Sequence, residues 1–198
     1  MILYLEDFSF MFMLDVETLG TESTSVILSV AIIHFDVGKT YDYDELLKEA
    51  LFVKLDVAKQ IKHYNRTMDL ETGKWWEGQH QYVKDCSLKP SKDDLDPVDA
   101  MQRIREYVAK YPDQEQTIWA RGSLDQMCFD SLTLALDEER IFRYNNWRDV
   151  RTAIDLLKDT AKNGYCQINH PTFQTHNVIK HHPTHDCAYD IMMMLYGV

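Results

Sequence analysis

The chain has 198 residues, a formal net charge of −11 and a composition that is 45% hydrophobic and 27% charged. That length suits one domain with a buried core. The 12% aromatic content, with only 7 Gly and 5 Pro, excludes a disordered, collagen-like or low-complexity chain. Taken as a whole-chain sum, the negative charge favours solubility and argues against a polyanionic partner.

The N-terminus, MILYLEDFSFMFMLD, is apolar but carries Glu6 and Asp7, and the first basic residue is Lys39. It lacks the positive n-region of a secretory signal. No run reaches the ~18 apolar residues of a membrane helix. Residues 10–16, FMFMLDV, form a short apolar run that ends in acid. Residues 26–36, VILSVAIIHFD, are rich in β-branched side chains and read as a buried strand. A hairpin across Leu19-Gly20-Thr21-Glu22-Ser23 joins the two. Residues 50–55, ALFVKL, offer a third strand.

The stretch 63–97 is polar, contains Lys89-Pro90-Ser91-Lys92-Asp93-Asp94 and reads as a loop or insertion. Residues 97–110 start with Pro97 in a first turn and place Val98, Met101, Ile104 and Val108 on one helical face. Thr117-Ile118-Trp119-Ala120 reads as a short strand, and residues 125–136, 149–160 and 185–196 as helices, with room for one more strand before the last two. The order predicts an α/β fold, a mixed sheet with helices packed on it. Cys86, Cys128, Cys166 and Cys187 lie far apart with no C-x-x-C pair. Free thiols in a soluble intracellular protein are expected, and a structural zinc site is not.

Three places could carry chemistry. In Asp15-Val16-Glu17, strand alternation points both carboxylates the same way. They are either solvated acids at a strand end or ligands of a hard divalent ion. In Trp119-Ala120-Arg121-Gly122-Ser123-Leu124-Asp125 an acid follows a strand and a Gly-containing turn, either as a ligand or as a favourable charge in a first helical turn. In His181-His182-Pro183-Thr184-His185-Asp186-Cys187-Ala188-Tyr189-Asp190, a His-rich loop leads into the last helix. It reads as a metal or catalytic site, or as a polar loop with Thr184 capping the helix.

The ordered set resembles the DEDDh exonucleases. Asp15 and Glu17 match the first motif, Asp125 the second, and His185 and Asp190 the third, H-x(4)-D; that match favours His185 over His181 and His182. Asp130, in Phe129-Asp130, is a rival for the second motif because residues 121–125 read R-G-S-L-D, where many relatives place Phe or Tyr directly before the acid. Within that superfamily the chain is most similar to the phage exonuclease A (DexA) type and related bacterial 3′–5′ exoribonucleases. Asp15-Val16-Glu17-Thr18-Leu19-Gly20, the tryptophan pair in Glu71-Thr72-Gly73-Lys74-Trp75-Trp76-Glu77-Gly78-Gln79, and Asn146-Trp147-Arg148-Asp149-Val150-Arg151-Thr152 carry the likeness. Residues 10–198 then form a single exonuclease domain, and residues 1–9 an N-terminal extension without an assigned role.

The resemblance implies a ribonuclease-H-like mixed β-sheet flanked by α-helices, and hydrolysis of single-stranded DNA or RNA from the 3′ end to nucleoside 5′-monophosphates. It implies two Mg²⁺ or Mn²⁺ ions, ~3.5–4 Å apart, clamping the attacking and leaving oxygens. Asp15 would bridge both ions, Glu17 and Asp190 would complete the nucleophile-side ion, and Asp125 would support the other. His185 would be the general base, near its unperturbed pKa of ~6.5. Thr18, Leu19 and Gly20 would meet the 3′ nucleotide, Trp75 or Trp76 would stack a base, and Arg148 and Arg151, three apart on a helix face, would contact phosphates. The tryptophans equally suit the core, and the arginines ordinary ion pairs with Asp149 or Asp155. The setting implied is cytoplasmic (the host's, if the source is a phage), without membrane, and compatible with a homodimer. Two other readings are an HD-type metal phosphohydrolase, prompted by the histidines but all-helical, and a non-catalytic nucleic-acid-binding module on the same fold. The charge no longer excludes nucleic acid once it is split by position. Within residues 140–185, Arg140, Arg143, Arg148, Arg151, Lys158, Lys162 and Lys180 face only Asp149, Asp155 and Asp159.

Overall fold

Two long apolar strands organise the molecule. The computed structural model describes residues 10–112, 116–174 and 178–198, so the extension 1–9 lies outside the described residues. Strands β1 (Phe10–Thr18) and β2 (Ile27–Asp36) pair antiparallel, with Asp15 opposite Ala31 and a bulge between Glu17 and Thr18. β3 (Leu51–Lys54) adds antiparallel to β2. β4 (Thr117–Ala120) lies parallel to β1, and β5 (Trp147–Asp149) parallel to β4. The result is a five-stranded mixed sheet in the order β3-β2-β1-β4-β5. β2 is a nearly unbroken apolar run because both of its faces are covered. This sheet overturns the all-helical HD-type reading.

Alternation along β1 sends its side chains into two cores. Phe12, Leu14 and Val16 pack with residues of α5 (Pro97–Ala109) and α6 (Leu124–Ala135). Met11 and Met13 pack on the other side, with residues of α1 (Tyr43–Glu49), α7 (Val150–Leu157) and α8 (Pro183–Tyr196). Asp15 and Glu17 continue the Met11–Met13 face, so the period of two aims them toward α8.

The sequence expectations need five local corrections. The helix α1 was not foreseen, although Asp42 and Glu45 carry a capping-box spacing and Glu45 Oε2 accepts from the Asp42 N–H at 2.9 Å. The 63–97 stretch is largely helical rather than a loop. The helix α2 (Val57–Tyr64) runs into it, followed by α3 (Leu70–Glu77), the single turn α4 (Gln81–Val83) and a π-turn over Lys84–Leu88. Asp56 caps α2 and Asp69 caps α3. Each of these pieces buries a single side chain and none exceeds eight residues, too short to sustain the pattern that marks a longer helix. In α5 the buried face is Ala100, Met101, Ile104, Tyr107 and Val108, and Val98 points outward at 38% exposure. The last helix starts at Pro183 with His182 at its N-cap, so Thr184 is inside the helix rather than capping it. Arg148 belongs to β5 and Arg151 to α7, so the two do not share a helix face.

Candidate active site

The C-terminal half of β1, the end of β4 and the first two turns of α8 converge on one cleft of about 360 Å³. Asp15, Val16 and Glu17 line one wall; Arg121 and Tyr165 line another. Lys180, His181, Asp186, Tyr189 and Asp190 complete it. Asp186 and Asp190 are four apart on α8, so one helix face presents both carboxylates to β1. Cys187, between them, sits against the Met13 and Ala31 carbonyls and seats this turn on the sheet. Asp125 stands in the first turn of α6, buried, and its Oδ1 accepts from the Val16 N–H at 3.2 Å. It is thereby fixed behind the strand that carries Asp15 and Glu17. The rival Asp130 lies a turn further along α6 and pairs with Arg140 at 3.4 Å.

The clustered carboxyls resist ionisation. Burial, then Asp125, Glu17, Asp186 and Asp190, push Asp15 well above the usual carboxylate range. Burial, then Asp186 and Asp125, do the same to Glu17. Asp125 is raised to about 7 by burial, against the opposing Val16 N–H bond. Asp186 is also raised to about 7, by burial and then Asp190. Burial raises Asp190 too, but the Arg121 guanidinium opposes it. Arg121 Nε lies 3.1 Å from both Asp190 oxygens, and its Nη2 is 2.5 Å from Oδ1. The same guanidinium bonds the Asn163 and Gly164 carbonyls and stacks on Tyr165. Oxygen donors of this density, only one of them neutralised at contact by a cation among the described residues, fit a site for hard divalent cations.

Only some of the expected residues meet here. Asp15, Glu17 and Asp190 share the cleft, with Asp125 beneath. His185 does not line it; its Nδ1 lies 2.9 Å from Tyr43 Oη and takes a 3.5 Å contact from the Ile179 N–H. The histidine on the cleft is His181, whose backbone N–H donates to Asp186 Oδ2 at 2.8 Å. The signal that could have found this pair is in the sequence: His181 and Asp186 repeat the H-x(4)-D spacing of His185 and Asp190. Arg121 is the other missed residue, and its place directly after β4 pointed to the same strand end.

The outer residues divide similarly. Trp76 is fully buried with Leu19, Val26, Leu28 and Val83, and its Nε1–H donates to the Thr18 carbonyl at 2.9 Å. Trp75 remains 44% exposed, edge-on to the His181 ring with centroids 4.8 Å apart. Thr18 and Leu19 are buried, and the space a Cβ would need at Gly20 is taken by Ser25. The glycine therefore serves close packing inside the hairpin loop. Arg148 is exposed and, among the described residues, bonds only carbonyls of its own segment, whereas Arg151 lies 3.5 Å from Asp149 and against Gly122.

Comparison with known proteins gives three findings. The family model described as 3′–5′ exoribonuclease Rv2179c-like domain matches residues 11–197. The exodeoxyribonuclease of Enterobacteria phage T4 is 27% identical over 212 residues, covering 96% of this chain and 89% of that protein. Among solved structures, E. coli exonuclease I in its zinc-bound complex with single-stranded DNA superposes with a TM-score of 0.58 at 10% identity, and an apo exonuclease I with 0.57 at 11%. Both matches cover 94% of this chain, which spans 40% and 41% of those two chains. The likeness identifies the sheet and its helices as a ribonuclease-H-like fold.

Proposed function

The chain belongs to the Rv2179c-like 3′–5′ exoribonuclease domain family and is a DEDDh-type 3′–5′ exonuclease; from that premise we propose a metal-dependent hydrolase that shortens single-stranded DNA or RNA from the 3′ end and releases nucleoside 5′-monophosphates. The observation that supports the reading best is the convergence of Asp15, Glu17 and Asp190 on one cleft, with Asp125 bonded to the strand behind it. These four would hold two Mg²⁺ or Mn²⁺ ions, with Asp15 shared between them. Bound there, the ions would activate the attacking water and stabilise the leaving oxygen in an in-line displacement.

The side chains supply the rest. Asp125 keeps β1 in register with α6 through the Val16 amide, which fixes the spacing of Asp15 and Glu17. Arg121 orients the Asp190 carboxylate through its fork. His181, the histidine that lines the cleft, would take the proton of the attacking water, while His185, whose Nδ1 lies 2.9 Å from Tyr43 Oη, is held outside it. Exposed Trp75 stacks a terminal base, and Lys180 and Arg148 contact phosphates. Trp76 and Leu19 act from the core, by holding the loop after β1.

A single-stranded substrate accords with the complex described for exonuclease I. Residues 10–198 act as one exonuclease domain. We place the protein in the cytoplasm, the host's if it is phage-encoded, as the T4 relative suggests. No helix among the described residues is long and apolar enough to cross a membrane. The homodimer implied by the resemblance is tested by light scattering.

The activity is tested with 5′-labelled single-stranded DNA and RNA in Mg²⁺ or Mn²⁺. The expected product is a ladder shortening from the 3′ end, lost with chelator and in Asp15→Ala. Internal cleavage, or full activity in Asp15→Ala, would overturn the assignment. Loss of the acidic limb of the pH–rate profile in His181→Gln, with the limb kept in His185→Gln, tests the base.

A further inference from the structure

A row of aromatic rings leaves the cleft on its β3 side. In the sheet register Asp15 stands opposite Ala31, and Ala31 opposite Phe52. The three side chains therefore share one face of the sheet. Strands lie ~4.8 Å apart, so Phe52 sits roughly 10 Å from Asp15 along that row. The span matches about three stacked nucleotides at ~3.4 Å each. Phe52 belongs to an edge strand and is 36% exposed. His182, at the N-cap of α8, packs its ring on Phe52, with centroids 5.4 Å apart and planes at 28°. Tyr82 of α4 stacks on the same imidazole at 6.0 Å and 17°, and is 48% exposed. His182 Nδ1 is buried and makes no hydrogen bond among the described residues, so packing fixes the ring. Burial, and then His185, lower its pKa to about 4, which keeps it uncharged at neutral pH. The preceding residue is His181, whose ring meets Trp75 at the cleft. Phe52, His182 and Tyr82 thus continue the aromatic surface outward from Trp75, and none of the three lines the metal cleft.

We propose that Phe52, His182 and Tyr82 form an accessory stacking platform for bases of the single strand about three nucleotides upstream of its 3′ end. The proposal rests on the reading that the cleft cuts at a 3′ end, and it adds a site that touches no metal. Every base has a π-face, so such a platform grips any sequence. A duplex keeps its base faces stacked on one another, so the same rings favour single strands. Stacking also suits a chain with a net charge of −11, whose overall field repels phosphates.

The test measures KM for 5′-labelled oligonucleotides, from dinucleotide to decamer, with the full chain in Mn²⁺. In the parent, KM should fall with length and level off once the strand reaches the rings, at about four nucleotides. Tyr82→Leu and Phe52→Leu keep apolar bulk and lose the ring. Each should raise KM for the decamer by about fivefold or more. KM for the dinucleotide, too short to reach the platform, should stay as in the parent and shows that the fold is intact. Tyr82→Phe, which keeps the ring, should match the parent at every length. A rise in KM shared by dinucleotide and decamer, or no rise at either length, would overturn the platform and leave the exonuclease standing. So would a change of oligomeric state in either Leu variant, read by light scattering, which would give the rings to a second copy of the chain. A parent that shortens no strand from its 3′ end would overturn both readings.

Discussion

Replacing Asp125 by Asn should change the sign of its effect on stability with pH. In the metal-free protein this carboxyl is held to about 7 against an ordinary value of 3.8. Between those values the folded chain keeps a proton that the unfolded chain has lost. Stability therefore falls as pH rises from about 4 to about 7 and stays low above that. The penalty from this one group is under about 1 kcal/mol at pH 4 and roughly 4 kcal/mol at pH 8. Asn keeps an acceptor for the Val16 N–H and has no charge to bury. Its amide protons enter a buried position instead, at a cost of roughly 1–2 kcal/mol. The variant should thus be less stable than the parent at pH 4 and more stable at pH 8, by about 2 kcal/mol, or a Tm gain of roughly 4–8 °C for a chain of this size. Thermal unfolding in chelator at both pH values measures this, and nuclease activity should fall by orders of magnitude in the same variant. Added Mn²⁺ should raise the Tm of the parent more than that of the variant. A variant that is destabilised at pH 8, or stabilised equally at both values, would refute the account of Asp125 as a carboxyl strained by burial.

Asp130→Asn should leave the nuclease rate nearly unchanged, because Asp130 pairs with Arg140 rather than facing the cleft; a loss as large as that of Asp125→Asn would reverse the choice between the two acids. Trp76→Phe should cost about 1–3 kcal/mol in denaturant unfolding, since the buried Thr18 carbonyl loses its donor. Trp75→Ala should leave stability within roughly 0.5 kcal/mol and instead raise KM for single strands, by the ~1–3 kcal/mol of a lost base stack. Arg121→Gln removes the charge that keeps the Asp190 carboxylate ionised, so the metal concentration for half-maximal rate should rise; an unchanged metal requirement would separate Arg121 from the metal site.

Local pattern set much of this molecule. Apolar β1 and β2 needed only their composition and the loop between them to read as a hairpin. Pro97 announced α5, and D-x-E at the end of β1 together with the acids of the last helix named elements that meet at the cleft. The short helices α1 to α4 were hidden because each runs for at most eight residues, too short for a helical period to be sustained along the chain. Trp75 and Trp76 are adjacent and chemically identical, so only the docking of α3 on the hairpin loop decides that one is core and the other exposed. The histidines show the same division. Two overlapping H-x(4)-D pairs have equal spacing along the chain. The start of α8 at Pro183 leaves His181 in a left-handed loop on the cleft and sends His185 to Tyr43. The net charge of −11 was likewise legible at once, but a sum has no positions. The sequence by itself determined which groups are present and their order along the chain. The tertiary structure decided which of them meet, because burial and the distance between charges exist only once strands and helices have packed.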